Sequence, residues 1–199
     1  MKILCVQNNY NGGVASDSGS PLFFIKPDSA LLQRGQPFFY PDFSSEMDCE
    51  LNLVIRINRL GKNIQSKFAH KYYNEVALGL NFTARDIHRK CVAGGLPWTL
   101  ATSFDNSAAI SDFVALDTVG NDINNLNFEL LKNGTVVNRA NISDMNISPD
   151  EIIAYLSQFM TLKIGDYIFM SAVGITSIAI NDCFEGMLNN NLLFKCRIK

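Results

Sequence analysis

Residues 78–105, LGLNFTARDIHRKCVAGGLPWTLATSFD, set the tightest limits on how this chain can fold. Val76, Leu78 and Leu80 recur at period two, the spacing of a buried strand. The run then turns polar at Asn81, Thr83, Arg85, Asp86 and His88, as expected at a strand's carboxyl end. Gly94, Gly95 and Pro97 exclude a long helix and impose a shaped loop that carries the only tryptophan, Trp98. A polar strand end followed by such a loop is a common way to build a pocket, and residue types alone fit a well-packed structural loop equally well.

Two carboxylates sharpen the pocket reading. Leu51, Leu53, Ile55 and Ile57 alternate as a strand, and Asp48 and Glu50 lie two apart at its mouth. Positions i and i+2 of a strand face the same side, so the pair can offer two oxygen ligands to one hard cation. A solvated strand edge would carry the same residues.

The rest of the chain reads as mainly β, in a mixed α+β class. Strands are expected over 1–6, 22–25, 113–116 and 167–170, with a hairpin around Asn133-Gly134 and a terminal strand pair reaching Ile198. Residues 66–76 have helix-like spacing. Ser148, Pro149 and Glu151 form a capping-box start to a helix whose apolar face is Ile152, Ile153, Leu156, Phe159 and Met160. With 199 residues and no internal repeat, one domain spanning 1–199 is expected. A net charge of −2 gives no electrostatic ground for a nucleic-acid or membrane partner. Cys5, Cys49, Cys91, Cys183 and Cys196 lack metal-knuckle spacing and read as reduced core thiols. The opening MKILCV is too short an apolar run for a signal peptide or a membrane span, so a cytoplasmic protein is expected.

The segments TARD and GLPWTLA-SFD together resemble the fumarylacetoacetate hydrolase family, and the likeness continues through nearly the whole chain. Asn9-Tyr10, Phe23 to Pro27, Asp48-Cys49-Glu50-Leu51 and the stretch ending at Asp166 are similar to family segments in matching order. The resemblance implies a highly twisted β-roll with a few short helices, paired as a homodimer. It also implies Mg²⁺ or Mn²⁺ chemistry on β-diketo or β-keto acids: hydrolysis of C–C bonds, decarboxylation or isomerisation. Metal ligands would fall at Asp48, Glu50 and Asn81, and a small carboxylic or keto acid would meet Lys26, Arg85 and His88.

The departures from the family pattern fall on the same site. Asp48 replaces a glutamate and Asn81 an aspartate, so the ligand set carries −2 in place of −3. Gly13 and Ser16 stand where a lid His and Glu are usual, and neither can take a proton at neutral pH. Thr102 replaces a lysine that would stabilise an enolate or oxyanion. Residues 170–173 replace a TGTP segment that contacts substrate. These losses point to a degenerate site and leave the metal weakened or lost. A divergent metal enzyme, and a ligand-binding or dimeric scaffold without catalysis, remain the alternatives. For single residues the plainer roles also stay open: Lys26 solvated, Arg85 paired with a neighbouring acid, His88 structural.

Overall fold

The computed structural model describes residues 1–10, 20–120, 122–172 and 174–199. The lid positions Gly13 and Ser16, and Val173, lie outside them. The first half contains β1 (Ile3–Gln7), β2 (Leu22–Lys26), β3 (Met47–Arg56), the single-turn helix α1 (Ser66–Ala69) and β4 (Glu75–Ala84). Helices α2 (Arg85–Ala93) and α3 (Thr99–Thr102) follow, then the short strands β5 (Ala108–Ile110) and β6 (Val114–Ala115). The second half has β7 (Asn127–Lys132), β8 (Thr135–Asn141), α4 (Pro149–Phe159), β9 (Tyr167–Ala172), β10 (Thr176–Ser177), β11 (Cys183–Leu188) and β12 (Asn191–Arg197).

Among the described residues the strands form two sheets. The larger runs β2-β1-β9-β3-β4-β5, with β10 on β3 and β6 on β4, and the smaller runs β12-β11-β7-β8. Strand alternation divides β3 between two environments. Cys49, Leu51, Leu53 and Ile55 join the main core with Leu78, Leu80, Phe82, Phe128, Phe184 and the α4 residues Ile152, Ile153 and Leu156. Val54 faces the other way, into a second cluster with Ile3, Cys5, Ala77, Ala108 and Phe169. Asp48, Glu50 and Asn52 share parity with Val54, so the carboxylates project on that second face.

The expected mixed, mainly β class is observed, and local expectations mostly hold. The Asn133-Gly134 turn has both residues at positive φ, 52° and 82°, as a two-residue hairpin turn requires. Ser148 and Glu151 cap α4 reciprocally. Three local readings need correction. Helix-like spacing over 66–76 yields only α1 and one 3₁₀ turn, because the continuous burial of residues 76–84 on both faces draws Glu75 onward into β4. The polar residues Asn81 and Thr83 lie inside β4 rather than beyond it, paired with β3. The strand expected over 113–116 is β6 alone, ending in a 3₁₀ turn at Leu116–Thr118.

Gly79, mid-way along β4, sets how closely the larger sheet can pack. A Cβ there would meet Phe169 at 2.6 Å and Val54 at 2.9 Å. Both neighbours are fully buried, so neither can move aside cheaply. Gly79→Ala is therefore expected to destabilise the fold by about 2 kcal/mol, read as a lower urea midpoint. An unchanged midpoint would show that the second cluster is looser than its burial implies.

Candidate functional site

The antiparallel register of β3 and β4 places Glu50 opposite Asn81 and Asp48 opposite Thr83. Directly paired residues share a face, so Asp48, Glu50, Asn81 and Thr83 form one polar patch. Asn81 Nδ2 donates to Glu50 Oε2 at 3.2 Å, while Asn81 Oδ1 is buried and has no hydrogen-bond partner. Burial pushes the Glu50 carboxyl up, against the opposing pull of Arg85, the Asn81 hydrogen bond and Lys26, while Asp48 adds to the rise. Asp48 turns to Arg85, whose Nε donates to Asp48 Oδ2 at 2.5 Å.

Arg85 is held in position by the start of α2. Its backbone N–H donates to the Glu46 carbonyl at 2.7 Å. Asp86 accepts from the Ser44 hydroxyl at 2.6 Å and from the Ser45 N–H at 3.1 Å. The Ser44 hydrogen bond leads in holding the Asp86 carboxyl down at about 2, with the Ser45 and Ile87 N–H groups assisting against desolvation. Asp86 of the TARD segment thus clamps the loop before β3 to α2. His88, one turn on, lies edge-on to Trp98 with ring centroids 4.9 Å apart. Partial burial, then the Arg85 charge, lowers its pKa, so it is neutral at pH 7.

Lys26 is not the solvated side chain that sequence left open. It is fully buried, and its ammonium donates to the backbone carbonyls of Ser107 at 2.7 Å and Phe82 at 3.3 Å. Burial lowers its pKa to about 8, against the opposite influence of Cys5 and Glu50. Its positive charge acts on Glu50. Thr102, which the resemblance sets at a lysine position, is buried and spends its hydroxyl on the Trp98 carbonyl and on Ser103. Met170 and Ser171 of β9 together oppose Leu53 in a β-bulge, with Ser171 at φ 82° and its Oγ accepting from the Asn9 N–H at 3.0 Å.

The structure thus brings Asp48, Glu50, Asn81 and Arg85 together, lets the buried Lys26 charge act on Glu50, and places His88 on α2 beside Trp98. Two neighbours were missed from sequence. Cys5, whose thiol burial pushes up to about 12, senses the charges of Lys26 and Glu50. Ser107 supplies a carbonyl to Lys26 and has a buried hydroxyl without a partner. Neither sits in a motif, and only the sheet order brings them near.

The donor set fits a hard divalent ion. Among the described residues no group of three or more His, Cys, Asp or Glu could hold a metal. The third donor here is an amide, and the orphaned Oδ1 of Asn81 is an oxygen of the kind such an ion accepts. A cleft of about 350 Å³ lined by Gly35, Gln36, Pro37, Lys195, Arg197 and Lys199 contains none of these residues. No helix among the described residues is long and apolar enough to cross a membrane.

The profile of the fumarylacetoacetate hydrolase C-terminal domain matches residues 2–182. The mitochondrial oxaloacetate tautomerase of Bos taurus is 32% identical over 202 residues, covering 99% of this chain and 91% of its own. The mitochondrial oxaloacetate decarboxylase of Dictyostelium discoideum is 34% identical over 173 residues, covering 84% of this chain and 78% of its own. Fumarylpyruvate hydrolase from Pseudomonas aeruginosa, solved with Mn²⁺ and pyruvate, superposes with a TM-score of 0.89 at 26% identity, over 100% of this chain and 88% of that one.

Lys26 gives a test of the buried network. Its pKa falls from 10.5 unfolded to about 8 folded, so between those values the unfolded chain binds more protons and stability rises with pH. The burial penalty is complete below pH 8 and vanishes above 10.5. Urea unfolding of wild type and Lys26→Met across that window should show their stability difference shifting in favour of wild type by about 3 kcal/mol. A difference independent of pH would show that Lys26 does not titrate there.

Proposed function

The chain belongs to the fumarylacetoacetate hydrolase family, and on that premise we propose that it binds a small keto acid together with a divalent cation, Mg²⁺ or Mn²⁺, and has lost C–C hydrolysis. The observation that carries this reading is the buried, partnerless Oδ1 of Asn81, the residue whose amide nitrogen bonds the Glu50 carboxylate. Asp48, Glu50 and Asn81 would hold the ion, with two charges rather than three and correspondingly weaker affinity. A bound ion would supply polarisation of the keto group and stabilisation of its enolate.

The chain's own residues do the rest. Arg85 offers a guanidinium for the ligand carboxylate, partly exposed at the edge of the patch. His88, neutral and half-buried, can hydrogen-bond the far end of the ligand. Lys26 biases the potential toward anions without touching them. Hydrolysis needs a group to activate water, and Gly13, Ser16 and Thr102 provide neither base nor cation. Enolisation or decarboxylation of a β-keto acid needs no activated water, and the names of the bovine tautomerase and the Dictyostelium decarboxylase support that choice. We also read the protein as a homodimer, with the exposed Val92, Leu96 and Leu100 of the α2–α3 segment as apolar surface for a second copy to cover.

Calorimetric titration with Mn²⁺ tests the ion site. Asn81→Asp, which restores a third carboxylate, should tighten binding ~10-fold or more, and Glu50→Gln should abolish it. No binding in either wild type or Asn81→Asp at millimolar Mn²⁺ would overturn the site. Mg²⁺-dependent cleavage of an acylpyruvate by wild type would overturn the loss of hydrolysis, leaving the ion site standing.

A further inference from the structure

The three would-be ligands are not equivalent. Glu50 and Asn81 face each other across the strand pair and bond each other, whereas Asp48 spends its carboxylate on Arg85. We propose that Arg85 is a latch on Asp48, released when a ligand carboxylate takes its guanidinium, so that keto acid and divalent cation bind with positive coupling. This inference rests on the cation reading of the patch and adds the order in which its parts become available.

Three observations support it. Aspartate is one methylene shorter than glutamate, so Asp48 has less reach with which to serve Arg85 and an ion beside Glu50 at once. The backbone of Arg85 is fixed by its bond to Glu46 and by the Asp86 clamp, while its side chain remains 21% exposed and open to an anion. The next cation along the helix face, Arg89, is already paired with Glu46, which leaves Arg85 as the group that meets Asp48. A guanidinium binds any carboxylate in the same forked geometry, so an incoming acid can replace Asp48 with little change in the bonding of Arg85. The freed Asp48 charge then joins Glu50. By linkage, the acid tightens the cation by the same factor as the cation tightens the acid.

The rival role has the opposite sign. Were Arg85 an outer partner that orients Asp48 as a ligand, its removal would weaken the metal. Calorimetry of Mn²⁺ with and without saturating pyruvate separates the two. In wild type, pyruvate should tighten Mn²⁺ at least ~5-fold. Arg85→Gln should bind Mn²⁺ alone ~10-fold tighter than wild type and lose most of the pyruvate effect. Arg85→Lys, which keeps the charge without the fork, should fall between and serves if the glutamine variant fails to fold. Arg89→Gln controls for removal of a nearby positive charge and should change Mn²⁺ affinity less than ~2-fold. Affinity that is unchanged or weaker in Arg85→Gln, or an equal gain in Arg89→Gln, overturns the latch while the ion site stands. No Mn²⁺ binding in any variant, even with pyruvate, overturns the ion site and the latch with it.

Discussion

The pairing of β3 with β4 runs from Met47 opposite Ala84 to Ile55 opposite Val76, and the site exists because of that register. Side chains alternate with period two, so a slip of one residue would turn Asp48 and Glu50 into the main core and Leu51, Leu53 and Ile55 out of it. Burying unpaired carboxylates costs several kcal/mol each, as does stripping a core of its leucines. Both faces of the strand pair are covered, so register errors are penalised from both sides. The apolar residues that stabilise the sheet therefore also decide which polar groups meet.

At the carboxyl end of β4 the chain turns at once into α2, and the joint is fastened rather than loose. Asp86 gathers donors from Ser44, Ser45 and Ile87, and Arg85 bonds backward to Glu46. The two segments are some forty positions apart in sequence, yet they lock the loop before β3 to the start of the helix after β4. Asp48 and Arg85 meet because each lies just past one side of that fastening. In the TARD segment the aspartate thus does structural work, and the arginine is left to face the site.

What was legible in the sequence follows from how local each signal is. The Asn133-Gly134 turn, the capped start of α4, the terminal strand pair and the carboxylate pair on β3 depend on residues within a few positions of one another, and sequence showed them. The same-face geometry of Asp48 and Glu50 needed only strand parity. Helix-like spacing over 66–76 misled because it competed with a stronger period-two run that begins inside it at Val76. Lys26 defeated residue typing altogether: a lysine beside Pro27 reads as solvated or ligand-facing, and only the sheet order reveals the Phe82 and Ser107 carbonyls waiting for it. Cys5 and Ser107 were invisible for the same reason. Family resemblance aligned Asn81 with a carboxylate position but could not show its bare oxygen.

An amide at Asn81, where the resemblance implies a carboxylate, changes the resting charge of the face as well as its count of anionic ligands. Asp48 and Glu50 contribute two negative charges, and Arg85 and Lys26 two positive ones, so the patch is balanced without an ion. A third carboxylate would leave an excess negative charge in a region that burial already makes costly for Glu50, and a cation would then be required for stability. With an amide there, the charges pair among themselves: Asp48 with Arg85, Glu50 with the Asn81 amide and the field of Lys26. On the proposed reading, a bound metal would have to displace this internal arrangement. An anionic acid on Arg85 would restore the negative excess and with it the demand for a cation. On the proposed reading, an amide at this position would weaken the site in isolation and make its two ligands depend on each other.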